Sequence, residues 1–177
     1  MTIQDYEKLI YDIPDYPEPG VIFKDVTPLM ADSEGFVGLT NDLADHFRSA
    51  GVTKVVGAEA RGFLVGAPVA LSLGVGFVPA RKPGKLPREV YSQSYYIEYG
   101  TDELQIHKYA LRPGDRALIV DDLVATGGTA VACAKLIEQA GAELVGFAFA
   151  LELTYLNPRE IIEKEFSQEI YTLIKVQ

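Results

Sequence analysis

From Lys54 onward the chain alternates short apolar runs with longer stretches of helical spacing. Lys54 to Ala58, Val75 to Ala80, Arg116 to Val120, Leu144 to Leu151 and Glu169 to Val176 read as strands. Phe63 to Leu73 reads as an apolar helix ending at Gly74, and Thr129 to Ala140 as one stopped by Gly141. Asn157-Pro158-Arg159-Glu160 opens a further helix, with Asn as N-cap, Pro in the first turn and Glu at the capping-box position. Strands apolar on both faces, alternating with helices, predict an α/β fold: an open, mainly parallel sheet flanked by helices. Ligands bind such sheets beyond the carboxyl ends of the strands, so residues just after strands are the candidates for chemistry.

Two regions stand outside this rhythm. At the N-terminus, Ile3 to Tyr11 reads as a short helix, Asp12 to Gly20 as a Pro-rich loop and Val21-Ile22-Phe23 as a short extended piece. Phe36, Leu39, Leu43 and Phe47 then recur at helical spacing between Ser33 and Ser49, with Asp32 as N-cap and Gly51 as the stop. The second region, Glu89 to Lys108, is polar and aromatic. It reads as two extended arms around Gly100-Thr101-Asp102, either a lid or a plain surface hairpin. No repeat or flexible linker divides the 177 residues, which suit one domain.

Composition narrows the function classes. Sixteen basic against 25 acidic residues give a net charge of -9, a poor match for nucleic acid or an anionic membrane surface. Met1 to Tyr11 lacks a signal-peptide pattern, and no apolar run approaches the ~20 residues that span a bilayer. One cysteine, Cys133, cannot form an internal disulfide and suits a reducing cytoplasm. His46 and His107 are the only histidines, and no Cys/His cluster has metal-ligand spacing. The charge is uneven: Arg81, Lys82, Lys85 and Arg88 fall within eight residues that hold no acid.

The strongest chemical signal runs from Ala117 to Thr129. An apolar strand ends in Asp121 and Asp122, a small-residue loop follows, and a helix begins. Backbone amides of Ala125, Thr126, Gly127, Gly128 and Thr129 can wrap a phosphate, aided by the threonine hydroxyls and the helix start. The two acids suit vicinal hydroxyls, or a cation brought in by the substrate. Phosphate donors beside hydroxyl acceptors describe a site for a ribose 5-phosphate. The lysine of a nucleotide P-loop is missing, as is a Gly-x-Gly-x-x-Gly fingerprint. Glu59-Ala60-Arg61-Gly62 follows a strand, and its small residues and Arg61 suit a diphosphate. Arg81, Lys82 and Lys85 follow the next strand at the same edge. Arg88 reads equally well as part of a solvated turn.

The 117–129 pattern resembles the phosphoribosyl-pyrophosphate (PRPP) motif of type I phosphoribosyltransferases, and the chain is most similar to the adenine-using branch. Pro19 to Asp25 resembles that branch's base-pocket segment, Glu59 to Phe63 its pyrophosphate loop, and Arg81 to Pro87 its basic segment. Ile97 to Gly100 resembles its catalytic lid, and Glu152 to Thr154 its late base-pocket segment. The resemblance runs from about Pro14 to Thr154; beyond Pro158 it is architectural only. It implies a small hood over about residues 1–30, a β-hairpin lid over about 89–108, and transfer of phosphoribose from PRPP to adenine, releasing AMP and pyrophosphate.

The resemblance also implies roles. Glu98 is the general base, with Tyr99 beside it. Glu59, Ala60, Arg61, Arg81, Lys82 and Lys85 bind pyrophosphate, and a cis peptide is expected in the Glu59–Arg61 loop. Ile22, Phe23, Lys24 through its backbone, and Leu153 form the adenine slot, although Ile22 and Leu153 alone suit core packing as well. Mg²⁺ arrives on PRPP near Asp121 and Asp122, and the implied assembly is a cytoplasmic homodimer. Two rivals stay open: the same fold acting on another purine, and a non-catalytic PRPP-sensing regulator. An acidic chain whose core begins within two dozen residues leaves little room for the regulator's DNA-binding module.

Overall fold

A computed structural model gives the fold, described for residues 1–97 and 99–177. In chain order the elements are α1 (Ile3–Glu7), β1 (Tyr11–Pro14), β2 (Ile22–Asp25), α2 (Thr27–Ala31), α3 (Ser33–His46), β3 (Lys54–Ala58) and α4 (Arg61–Leu73). Then come β4 (Gly76–Ala80), β5 (Val90–Ile97), β6 (Gly100–His107), β7 (Arg116–Val124), α5 (Gly128–Gln139), β8 (Glu143–Leu153), α6 (Pro158–Glu163) and β9 (Glu169–Val176). Five strands form one parallel sheet in the order β4-β3-β7-β8-β9. β1 and β2 pair antiparallel as a separate small sheet, and β5 and β6 form an antiparallel hairpin.

The two-sided apolar strands are explained by two cores. Val56, Ile119, Phe147 and Phe149 point to the side of α5, where Leu136 and Ile137 meet them. Their neighbours Val55, Leu118, Val120 and Ala148 point to the side of α3 and α4, against Leu39, Leu43, Val65 and Val69. Successive strand residues face opposite ways, so each short run contributes to both layers.

Several boundaries differ from the sequence reading. The first helix ends at Glu7 and Tyr11 already pairs with Asp25, so part of the expected Pro-rich loop is strand. α3 is capped by the Asp32 carboxylate, which accepts from Gly35 N at 2.8 Å, but it ends at His46, before Gly51. β7 continues past Val120 to Val124, because the long β8 still offers pairing partners: Asp121 opposes Phe149 and Val124 opposes Glu152. Both acids therefore lie in the strand rather than after it. Asn157 precedes α6 in the left-handed conformation (φ 51°), and its side chain makes no capping hydrogen bond. The hairpin turns before Gly100, which opens β6; Gly100-Thr101-Asp102 is arm, not turn.

The hairpin is not a plain surface feature along its length. Leu104 and Ile106 are fully buried in the α5-side core, and Tyr91 and Tyr95 pack against it. Gln139 of α5 donates to Ser92 O at 3.0 Å. A bridge between Arg81 and Gln105, with hydrogen bonds of 2.8 and 2.7 Å, ties the inner arm to the chain leaving β4. No described helix is long and apolar enough to cross a membrane.

Candidate active site

The carboxyl ends of β3 and β7 enclose a cavity of about 250 Å³, lined by residues 58–62 and 121–127 with Thr129, Cys133 and Phe149. The loop after β7 passes beneath the start of α6 at Gly127, whose φ is +93°. A Cβ there would lie 2.9 Å from Pro158 O, so both the conformation and the space demand glycine. α5 starts at the next residue, and Thr129 and Ala130 of its first turn line the cavity beside the loop. Gly128 turns the other way. A Cβ on it would lie 3.3 Å from Tyr96 O, where the hairpin crosses the helix start.

Asp121 and Asp122 project from opposite faces of β7 and have different environments. Asp122 is 2% exposed, and its Oδ2 lies 3.0 Å from Arg61 Nε. That guanidinium also lies over the Phe23 ring, 5.6 Å from its centroid. Asp121 accepts from the Asp122 amide at 2.8 Å. Burial, and then the charge of Asp122, hold the Asp121 carboxyl well above the usual carboxylate range. Asp121 rests against the first turn of α4, where a Cβ on Gly62 would stand 2.8 Å from its Oδ1. Gly62→Ala is therefore expected to displace the Asp121 carboxyl and lower the kcat/KM of the reaction this cavity supports by up to about 10²-fold, the scale of a 1 Å misplacement. Steady-state kinetics check this; a wild-type kcat/KM would show that Asp121 position is immaterial.

The peptide bond joining Glu59 to Ala60 is cis. Glu59 itself does not present its carboxylate to an anion. Its Oε1 accepts from Lys82 N at 2.7 Å and Arg81 Nε at 3.2 Å, which ties the loop after β3 to the segment after β4. The Arg81 guanidinium lies over Phe63, 5.8 Å from the ring centroid. Lys82 Nζ is held by the Asp102 carboxylate and by Tyr95 Oη at 3.1 Å. Lys85 is exposed, and Arg88 reaches His107 Nδ1 at 3.3 Å. Arg61 is thus the one cation lining the cavity among the described residues, against Glu59, Asp121 and Asp122.

The expected adenine residues do not line this cavity. Phe23 borders it through Arg61 and packs edge-on against Tyr16, with centroids 5.3 Å apart. Ile22 is exposed, Lys24 Nζ bonds Asp12 at 2.6 Å, and Leu153 is buried in the α3/α4-side core. Tyr99 is 86% exposed. Glu98, the candidate base, lies outside the described residues. Sequence reasoning missed the Arg61–Asp122 pair, the bracing role of Glu59 and the Asp102–Lys82 contact. Among the described residues no group of three or more His, Cys, Asp or Glu side chains could hold a metal ion. Asp121 and Asp122 are the two adjacent acids of β7 that line the cavity.

The phosphoribosyl transferase domain family matches residues 38–169. The adenine phosphoribosyltransferase of Sodalis glossinidius is 56% identical over 153 residues, covering 86% of this chain and 84% of that protein. The crystal structure of adenine phosphoribosyltransferase from Thermoanaerobacter pseudethanolicus superposes with a TM-score of 0.94 at 46% identity, covering 99% of this chain and 100% of that one. The Saccharomyces cerevisiae enzyme, complexed with D-2,5-dideoxy-2,5-imino-altritol 1,6-bisphosphate and adenine, gives 0.90 at 38% identity, covering 97% of each chain. Identity this high over nearly the whole fold, including the strand ends that build the cavity, means that the chain belongs to the adenine phosphoribosyltransferase family.

Proposed function

We propose that this protein transfers the 5-phosphoribosyl group from PRPP to adenine, giving AMP and pyrophosphate in purine salvage. The observation that carries the reading is the meeting of two loops in one cavity: the glycine-threonine loop before α5 and the cis-linked loop before α4. The first offers amides and hydroxyls to a 5-phosphate, the second amides and Arg61 to a diphosphate. A ribose held between them exposes its anomeric carbon.

A ring nitrogen of adenine attacks that carbon as the bond to pyrophosphate breaks, and positive charge builds on the ribose ring as in other glycosyl transfers. The adenine ring proton passes to Glu98 as general base. Mg²⁺ is carried by PRPP, whose oxygens supply most of its ligands. The acids lining the cavity favour ribose hydroxyls and such a cation, and oppose free polyanions. Phe23, beside Arg61, is the stacking face for adenine, with the backbone near Lys24 at its polar edge. The strands β1 and β2 act as a hood, and the tip of the β5–β6 hairpin acts as the lid, since its inner arm is anchored in the core. We take the assembly to be a cytoplasmic homodimer; the exposed Leu64 and Leu71 on α4 and Val37 on α3 favour a partner there.

Side-by-side turnover of adenine, hypoxanthine, guanine and xanthine with PRPP and Mg²⁺ tests this reading. AMP formation from adenine is expected to exceed turnover of the other bases. No AMP would sink the reading, and preference for another base would transfer it to that purine.

A further inference from the structure

We propose that Asp102 and Tyr95 of the hairpin compete with the diphosphate for Lys82, making Asp102 a positioning residue that sets pyrophosphate affinity. This rests on the reading that the basic segment after β4 serves the diphosphate. The argument begins with strand geometry. On β6, Ile106 and Leu104 point inward and are fully buried. Asp102 is the next residue on that face. It stands opposite Tyr95 in the hairpin register. A core-facing rung of this hairpin thus ends in a carboxylate and a phenol, and that rung receives the Lys82 ammonium.

Lys82 is otherwise fixed. Its backbone amide donates to Glu59 at 2.7 Å, and Arg81 before it is bridged to Gln105. Only its flexible stem can move. Arg81 is directed to Glu59, Lys85 is exposed and Arg88 reaches His107 at the hairpin base, so Lys82 is the cation of this segment that the hairpin holds through a carboxylate among the described residues. A diphosphate reaching the same ammonium would approach the Asp102 carboxylate, and like charges at that range repel. Lys82 must therefore leave Asp102 to serve the ligand. The apparent affinity is reduced by the fraction of time that Lys82 is unavailable. Both side chains are about one-third exposed, and an ion pair so exposed is worth at most a factor of about five in an equilibrium.

Calorimetric titration of inorganic pyrophosphate, with Mg²⁺ present, tests the competition in four proteins: wild type, Asp102→Asn, Lys82→Ala and the double variant. Asp102→Asn is expected to bind pyrophosphate about three- to fivefold more tightly. In the Lys82→Ala background only the direct charge repulsion is left to relieve, so the same change is expected to tighten binding distinctly less than it does with Lys82 present, a dependence that a merely structural role for Asp102 would not produce. Asp102→Thr, a side chain suited to strands, must reproduce the tightening if the Asn variant folds poorly. Unchanged or weaker binding in both Asp102 variants, with Lys82→Ala still weakened, would overturn the competition and leave Lys82 with its diphosphate role. Unchanged binding in Lys82→Ala would overturn the underlying reading, and the proposal with it.

Discussion

Replacing Arg159 by Ala is expected to lower the stability of the protein by about 3 kcal/mol, the low end of the range for breaking a buried ion pair, because Glu152 is buried while Arg159 is about one-third exposed. Glu152, at the end of β8, is 2% exposed. Arg159 Nε and Nη2 donate to its carboxylate at 2.9 Å, and Thr172 of β9 adds a hydroxyl at 2.8 Å. Arg159 Nη1 also donates to Ile170 O at 3.0 Å, so one side chain ties α6 to two strands. Its removal leaves a buried carboxylate with one neutral donor. For a chain of this length the loss corresponds to a fall in Tm of roughly 6–12 °C. Burial alone would raise the Glu152 pKa, but the hydrogen bonds from Arg159 and Thr172 outweigh it and hold it below the usual value. A depressed folded-state pKa contributes stability above the unfolded value, about 4.3 for Glu, and loses it as pH falls through the folded value. In the variant, burial acts with less opposition, so protonation relieves the unpaired charge. The stability gap between wild type and variant is thus widest near neutral pH and narrows in acid. Thermal unfolding at several pH values checks this; a Tm within about 2 °C of wild type at neutral pH would show that the pair does not brace α6.

Glu152 also marks where sequence legibility ended. Contiguous signals were readable. β3 and β9 have the bounds that their apolar runs predict, and the acid–glycine–threonine stretch declares its chemistry within thirteen residues. A five-residue helix such as α2 is too short to show a period, and it was not foreseen. Apolar character in β7 stops at Val120, whereas its backbone pairing with β8 runs on to Val124. Asp102 looked like turn chemistry, since Gly-Thr-Asp is a common loop composition; only the register with Tyr95 reveals it as an inward arm residue. Long-range pairs left no local trace. Arg61 and Asp122 come from the ends of different strands, as do Glu59 and Arg81, and nothing in either segment announces the other. The residue types expected for the site were legible. Their division between ligand contact and mutual bracing required three dimensions.

Glu98→Gln is expected to reduce kcat by roughly 10²–10⁴, the usual contribution of a general base, while PRPP affinity stays close to wild type. The reasoning is chemical. Adenine attacks poorly while its ring proton is in place, and an amide of the same shape cannot accept that proton as a carboxylate does. The described candidates for a substitute are few. Glu59 is engaged by Arg81 and the Lys82 amide, and Asp122 lies against Arg61. Asp121 accepts from the Asp122 amide and rests against Gly62 in the first turn of α4. His107 has its pKa lowered by burial and by Arg88, but its Nδ1 is directed to Arg88 at the hairpin base. Tyr99 is exposed. The pH profile separates the explanations. With Glu98 as the base, an acid limb in the wild-type kcat profile is expected to be missing from the Gln variant. Pyrophosphate and PRPP titrations on the same protein distinguish lost chemistry from lost binding. Wild-type turnover in Glu98→Gln would remove the base from this residue, and an equal loss of PRPP affinity would make Glu98 a binding group instead.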